Sequence, residues 1–250
     1  MVHMTEITSN TLKPMCLLIH GINGSPYDFE YVENYLARNG YHTETLLLPG
    51  HMVNFKESEK FQWEHWRQSV QENVAERIKQ YASVVIIGHS MGAALAITAA
   101  AQNQKIAGLV SICAPARLWS FLEPAVRGSL VFTRFIPLLR EDISDPRERK
   151  LYRQKSPIRF APLKPMHSLL LALPEVRASL AQVQCPIFVI GAKKDHVVPA
   201  ADAQYIMEHA ASAQKKFLLL EKSWHIAMRD VEHEMLIEHI HAFLQTLKLG

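Results

Sequence analysis

The segment from Ser83 to Ala101 constrains the fold more than any other part of the chain. Ser83-Val84-Val85-Ile86-Ile87 is a β-like apolar run, Ala93 to Ala101 is a helix-like run of small and apolar residues, and Gly88-His89-Ser90-Met91-Gly92 joins them. Strand, G-x-S-x-G turn and helix in that order hold a serine at the tip of a sharp, strained bend, with its hydroxyl exposed above the end of a sheet. The two glycines answer to space, because strand and helix pass too close at such a turn for side chains. A serine presented this way has to find a base, an acid and donors for a developing oxyanion elsewhere in the chain.

Around that segment, strands and helices alternate. Pro14-Met15-Cys16-Leu17-Leu18-Ile19 is a continuous apolar run, as in a strand buried on both faces, and it leads into His20-Gly21-Ile22-Asn23-Gly24. Ser25-Pro26 reads as the N-cap and first residue of a helix that turns Phe29, Val32, Tyr35 and Leu36 inward and stops at Gly40. Thr45 to Leu48 is expected as the second strand, and Trp63 to Tyr81 as an amphipathic helix with Trp66, Val70, Val74 and Ile78 on one face. Lys105 to Cys113, Pro186 to Ile190 and Lys216 to Leu220 read as further strands. Helices are expected over Ala200 to Ala210 and Asp230 to Leu247. This order specifies an α/β fold with a mostly parallel, doubly wound sheet and right-handed crossovers.

The alternation breaks between Ala114 and Gln184, where no strand pattern appears. Helices are expected there over Leu118–Phe135, Arg147–Gln154, Met166–Leu171 and Glu175–Gln182, punctuated by prolines that include Pro137, Pro157 and Pro174. An insertion this apolar reads as a lid over a binding pocket. The expected organisation is a core of residues 1–114 and 185–250 with a helical cap of residues 115–184.

Composition closes off other classes. A net charge of +3, with dispersed Lys and Arg, does not suggest a nucleic-acid partner. No uncharged apolar stretch reaches the roughly 18 residues of a membrane span, and Met1 to Glu6 does not read as a signal peptide, so no stable membrane anchor is expected. Cys16, Cys113 and Cys185 are odd in number and sit in or beside β-like runs, as buried thiols in a reducing cytoplasm would. No H-x-x-x-H pair with a nearby Glu suggests zinc, and neither metal nor cofactor is expected.

Functional groups of a parallel sheet gather at the carboxyl ends of its strands. Ser90, Asp195 and His225 all fall at such ends. A serine needs a base to take its proton, and histidine titrates near working pH. The histidine in turn needs an anion on its other nitrogen. His225 follows the last strand and Asp195 the one before it; Glu221 is the alternative acid. The backbone N–H groups of Met91 and Ile22 are the expected oxyanion donors. Leu118, Phe121, Leu122, Leu130, Phe132, Phe135, Leu169, Leu170 and Leu171 are the cap residues expected to supply the substrate pocket.

With His20-Gly21-Ile22-Asn23-Gly24, Leu48-Pro49-Gly50-His51, Gly88-His89-Ser90-Met91-Gly92, Asp195-His196-Val197-Val198-Pro199 and Ser223-Trp224-His225 in that order, the chain resembles the bacterial carboxylesterase and monoacylglycerol lipase group of the α/β-hydrolases. The resemblance covers nearly the whole chain. It implies hydrolysis of short- to medium-chain esters or monoacylglycerols without cofactor or metal. Ile22, where relatives often carry an aromatic residue, Ala93 and Met52 depart from the pattern. Other readings stay open: a peptidase of the proline iminopeptidase kind, a thioesterase, or a non-catalytic ligand receptor. A peptidase would want acidic cap residues for a free amine, and Glu123, Glu141, Asp142 and Asp145 are interleaved with Arg127, Arg134, Arg140 and Arg147.

Overall fold

The computed structural model describes residues 13–119, 121–138, 141–156 and 158–247. Met1 to Glu6, Arg140 and Pro157, which entered the sequence reading, lie outside the described residues. The core elements in chain order are β1 (Met15–Ile19), α1 (Glu30–Arg38), β2 (His42–Leu46), α2 (Phe55–Ser58), α3 (Trp63–Gln80), β3 (Val84–His89), α4 (Met91–Gln102) and β4 (Ile106–Ile112). The insertion follows with α5 (Leu122–Ser129), β5 (Phe135–Pro137), α6 (Pro146–Lys155), β6 (Phe160–Pro162) and α7 (Leu163–Leu180). The core then resumes with β7 (Ile187–Ala192), α8 (Ala200–His209), β8 (Lys215–Leu220) and α9 (His233–Thr246).

Six strands pair in the order β2-β1-β3-β4-β7-β8, every pair parallel. Every residue of β1, β3 and β7 is buried, which explains their unbroken apolar sequence: helices cover both faces of the sheet. Successive side chains of a strand point to opposite faces. Met15, Leu17 and Ile19 accordingly join the core that holds Trp63, Trp66, Val70 and Val74 of α3 and the whole buried face of α4. Cys16 and Leu18 join the opposite core, with Phe29, Val32 and Leu36 and with Leu236, Ile240 and Phe243 of α9.

Several expected boundaries move, each for a physical reason. The second strand is His42–Leu46 rather than Thr45–Leu48. It lies at the sheet edge, where polar residues are tolerated, while Leu47 is 53% exposed in the turn that follows. The helix begun by Ser25-Pro26 opens as a 3₁₀ turn, Pro26–Phe29, before α1. A second 3₁₀ turn, Ala227–Arg229, delays the last helix to His233.

The insertion departs most from expectation. It does contain strands: β5 and β6 pair antiparallel, Phe135 opposite Pro162 and Pro137 opposite Phe160. Strands of three residues that meet only through distant pairing, each ending in proline, carry no local pattern. The first expected helix shrinks to Leu122–Ser129, with Leu118 in the left-handed region at φ 51°. The last two expected helices are one, because α7 runs through Pro174. Proline inside a helix costs about 3 kcal/mol. Buried Leu169, Leu173, Val176 and Leu180, on both sides of Pro174, offset that cost by packing into the same core as α4.

Two glycines make the bend between β3 and α4 possible. A Cβ on Gly88 would lie 2.5 Å from the Ala93 Cα, and one on Gly92 would land on the Ile19 carbonyl oxygen and 2.5 Å from that of His20. Alanine is favoured over glycine in a helix by about 1 kcal/mol, but overlap with the fixed backbone of β1 costs about 2–3 kcal/mol. Gly92→Ala is therefore expected to lower the melting temperature by at least about 2 °C, read by circular dichroism; an unchanged or higher value would contradict the close approach.

Candidate active site

Ser90 sits between β3 and α4 with φ 53° and ψ −123°, a conformation most side chains avoid. The bend is held from both ends. The Ser90 N–H donates to the Ile112 carbonyl at 2.9 Å, and the Ser90 carbonyl accepts from Ala93 N–H at 2.9 Å and Ala94 N–H at 3.1 Å. The Ser90 Oγ is thereby turned toward the loop after β8, where His225 Nε2 lies 2.9 Å away. The other ring nitrogen, Nδ1, is 2.7 Å from Asp195 Oδ2, in the loop after β7. Asp195 Oδ1 accepts the N–H groups of Val197 at 2.7 Å and Val198 at 2.8 Å. Three strand ends, those of β3, β7 and β8, converge here, and the Ser90–His225 contact joins residues 135 apart in the chain.

Burial and pairing pull against each other in this cluster. Burial opposes charge on His225, but Asp195 first, then Asp142 and Asp28, raise its ring above the ordinary histidine value. Burial also pushes the Asp195 carboxyl up; the His225 ring and the Val197 and Val198 amides outweigh it and leave it below the usual carboxylate range. Hydroxyl, imidazole and carboxylate joined in this order can pass the hydroxyl proton to the ring while the carboxylate holds its tautomer.

The donors expected for an oxyanion flank the same serine. Met91 opens α4, so its N–H is among those that a helix's first turn leaves without an intrahelical acceptor. Ile22 belongs to the loop after β1, and this loop presses on the elbow: a Cβ on Gly21 would be 3.0 Å from the Ser90 Cβ. Asn23 has φ 59°, the left-handed conformation that asparagine tolerates in turns.

Two histidines support these loops, and both had appeared in sequence only as letters of motifs. His20 Nε2 accepts the Leu48 N–H at 3.2 Å while its Nδ1 lies 2.9 Å from the Gly21 carbonyl, tying the Ile22 loop to the loop after β2. Burial, and the neighbouring His51 after it, drives His20 down to about 3, so the ring stays neutral. His89 Nε2 lies 2.9 Å from the His225 carbonyl, and burial followed by His225 drives His89 to about 3 as well.

A cavity of about 280 Å³ opens over Ser90, walled by Ile22, Asp28, His225 and, from the insertion, Tyr152, Ile158 and Met166. Beyond Ile22, Asn23 and Ile158 lies a second, larger cavity of about 400 Å³ with His51, Phe55, Trp66 and Phe160 on its walls. The Ser90 cavity contains the reactive groups; the larger one adjoins it.

None of the nine cap residues expected in the pocket lines the Ser90 cavity: six are Leu118, Phe121, Leu122, Leu130, Phe135 and Leu170. Leu118, Leu122 and Leu130 pack half-buried against the core, and Leu170 is buried within it. Phe121 is 63% exposed, and Phe135 packs edge-to-face against Phe55 at 5.3 Å and Phe160 at 4.8 Å. Of the other three, Leu169 is core, while Leu171 and Phe132 are exposed. The cause is layering. Helix α5 lies on α7, and α7 lies on α4, so the first half of the insertion is one layer removed from Ser90. The second half, from Leu138 to Met166, supplies the wall.

Acidic groups stand in that wall. Asp28 is buried, accepts the Tyr152 hydroxyl at 2.7 Å, and is pushed by burial to about 6. Glu141 Oε2 is buried without a hydrogen-bond partner among the described residues, with Arg153 Nη1 3.6 Å away.

The family model described as serine aminopeptidase, S33, matches residues 10–232. The chain belongs to this family. This serine hydrolase is 27% identical over 222 residues to a thermostable monoacylglycerol lipase of Bacillus sp. (strain H-257), covering 89% of this chain and 86% of that protein. It is 26% identical over 234 residues to a carboxylesterase of Bacillus subtilis (strain 168), covering 92% of each. A solved structure from work on LipS and LipT, two metagenome-derived lipolytic enzymes, superposes with a TM-score of 0.83 at 25% identity, covering 94% of this chain and 95% of that one. A soluble variant of monoglyceride lipase from Saccharomyces cerevisiae, 16% identical, shares the fold at a TM-score of 0.81 over 94% of this chain and 87% of that one. The hydrolase thus falls in the esterase and monoacylglycerol lipase group of the α/β-hydrolases.

Among the described residues, Cys113, Asp195 and His225 offer donor atoms within 4.8 Å of one another, as a metal would require. Those of Asp195 and His225 are already bonded to each other, and burial, with Asp195 after it, holds the Cys113 thiol well above its ordinary value, against the thiolate a metal needs. Incubation of the hydrolase with EDTA is expected to leave turnover intact; a loss that zinc restores would contradict this.

Proposed function

We propose that the chain is a carboxylic-ester hydrolase whose nucleophile is Ser90, whose base is His225 and whose orienting acid is Asp195. The observation that carries this reading is the pair of contacts on one imidazole, 2.9 Å to Ser90 Oγ and 2.7 Å to Asp195 Oδ2. Ser90 attacks the ester carbonyl as His225 Nε2 takes its proton, and Asp195 stabilises the imidazolium. The amides of Met91 and Ile22 receive the oxyanion, each worth roughly 10²–10³ in rate. His225 then protonates the leaving alcohol, and water activated by the same ring releases the acid from the acyl-enzyme.

Short- to medium-chain esters or monoacylglycerols are the proposed substrates. The two Bacillus relatives, named for a monoacylglycerol lipase and a carboxylesterase, support this class. So does a cavity whose apolar lining, from Ile22, Leu138, Ile158 and Met166, suits an acyl chain, while Asp28 and Glu141 are acceptors for an alcohol's hydroxyl groups. Three free cysteines, two of them buried, support a reducing compartment such as the cytoplasm. No helix among the described residues is long and apolar enough to cross a membrane.

A peptidase is the second reading, favoured by the family's description and by Glu141, an acidic residue in the wall of the Ser90 cavity. The other cap carboxylate there, Asp142, is engaged by His196 and by the His225 N–H, which supports the ester reading. A panel of p-nitrophenyl esters from C2 to C16, monoacylglycerols and amino-acid amides separates the two. Esters or monoacylglycerols are expected to turn over fastest; faster cleavage of the amides would overturn the ester reading.

Ser90→Ala is expected to lower kcat on p-nitrophenyl butyrate by about 10⁴–10⁶, and retention of more than a tenth of the activity would sink the mechanism. The pH profile has a definite sign. His225 acts as base only when neutral, and its pKa is raised, so kcat/KM falls as pH drops through a midpoint above the ordinary histidine value of about 6.5. Asp28 titrates near 6 in the same cavity, so Asp28→Asn identifies which limb belongs to His225. A flat profile from pH 5 to 8 would contradict a histidine base.

A further inference from the structure

His225 is held through its main chain as firmly as through its ring. Its carbonyl lies 2.9 Å from His89 Nε2 in the elbow, while its N–H donates to Asp142 Oδ2 at 3.1 Å. The next amide, Ile226 N–H, donates to the Asp142 backbone carbonyl at 3.1 Å. Asp142 belongs to neither loop of the triad; it stands in the insertion, 83 residues before His225. Its other oxygen lies 2.9 Å from His196 Nδ1, and His196 directly follows Asp195. One carboxylate from the insertion therefore reaches the loop of the base and the loop of the acid.

The contact is reciprocated. Asp230, just past the His225 loop, accepts the Trp224 N–H at 2.7 Å, the Ser144 N–H at 2.8 Å and the Asp145 N–H at 3.1 Å. Beside it, Arg229 is buried and donates to Glu148 of α6 at 2.9 Å. Residues 142–148 are thus sewn to the loop they support, whereas Phe121, Val131 and Phe132 in the first half of the insertion are largely exposed.

We propose that Asp142 is a positioning residue of the hydrolytic reaction: from the cap, it seats the His225 peptide and the Asp195–His196 turn so that the imidazole faces Ser90. This rests on the reading of Ser90, His225 and Asp195 as the triad. A cap that merely covered the pocket would affect substrate binding; a cap that seats the base affects the chemical step as well. A misplacement near 1 Å in such a constellation costs on the order of 10²-fold in rate.

Charge separates positioning from plain structural support. The groups that face His225 are Asp195 after β7, Asp142 in the cap, Asp28 before α1, His89 in the elbow and the Cys113 thiol after β4, with Glu141 in the wall of the same cavity. Burial disfavours the imidazolium; Asp195, Asp142 and Asp28 favour it. Removing the Asp142 charge therefore moves the acid limb of the pH profile to lower pH, and removing the carboxyl group also loosens the peptide.

The test uses the whole chain, wild type, Asp142→Asn and Asp142→Ala, with two readouts across pH: kinetics on p-nitrophenyl butyrate and the rate at which a fluorophosphonate labels Ser90. Asp142→Ala is expected to lose about 10- to 100-fold in kcat with little change in KM. Asp142→Asn, which keeps an oxygen acceptor, is expected to recover most of that loss, with the acid limb moved to lower pH in both variants. Wild-type kcat and an unmoved limb in Asp142→Ala would overturn the proposal. Should that variant not fold, an unmoved limb in Asp142→Asn overturns it alone. A wild-type chain labelled at Ser90 but idle on esters sinks the ester reading while the labelling rates still decide Asp142. No labelling at Ser90 sinks both.

Discussion

The close approach of α4 to β1 is the constraint on which the site depends. Because Gly92 has no side chain, the first turn of α4 rests on the carbonyls of Ile19 and His20, and Ser90 is left in a conformation with φ 53°. Such backbone strain costs on the order of 1–3 kcal/mol. It persists because the serine's own N–H and carbonyl are bonded into β4 and α4, and because ten consecutive residues of α4, Met91 to Ala100, are buried. The strain fixes where the hydroxyl points. Once that is fixed, the loops after β7 and β8 need only deliver a carboxylate and an imidazole to one place.

Delivering them means taking polar groups out of water, and the structure meets that cost by pairing. Asp195 spends its oxygens on His225, Val197 and Val198; His20 and His89 are kept neutral by burial and used as crosslinks between loops. The same pairing governs the join between the insertion and the rest of the chain. Arg229 is buried between the rings of Tyr27 and Tyr31, each 4.0 Å from its guanidinium, and its charge is met by Glu30 and Glu148. A buried arginine without those partners would be strongly unfavourable. The second half of the insertion is consequently part of the wall around Ser90.

What could be read from sequence follows this division. The strands of the core announced themselves because both faces are covered, so Cys16-Leu17-Leu18-Ile19 and Val84-Val85-Ile86-Ile87 are apolar without interruption. Ser90, Asp195 and His225 were nameable because each sits at a strand end, a local feature that survives without coordinates. The cap was opaque for the opposite reason. An apolar residue such as Leu170 has the same sequence signature whether it faces core or cavity, and only the stacking of α5 on α7 on α4 decides it. β5 and β6 exist only through each other. Asp142 was noted in sequence as one acidic cap residue among four; nothing local distinguishes it from Asp145, which caps α6. His20 and His89 lay inside recognised motifs, yet their bonds to Leu48 and to the His225 carbonyl join segments far apart in the chain.

The hydrolase carries a family description that speaks of aminopeptidases and has relatives named for ester hydrolysis, and both chemistries require the same activated serine. The measurement that tests that serine most directly is peptide mapping by mass spectrometry after complete inactivation with a fluorophosphonate. The geometry predicts one adduct per chain, on the peptide that contains Ser90, with activity lost in proportion to labelling. Complete inactivation with the adduct on any other residue would contradict the reading of Ser90 as nucleophile.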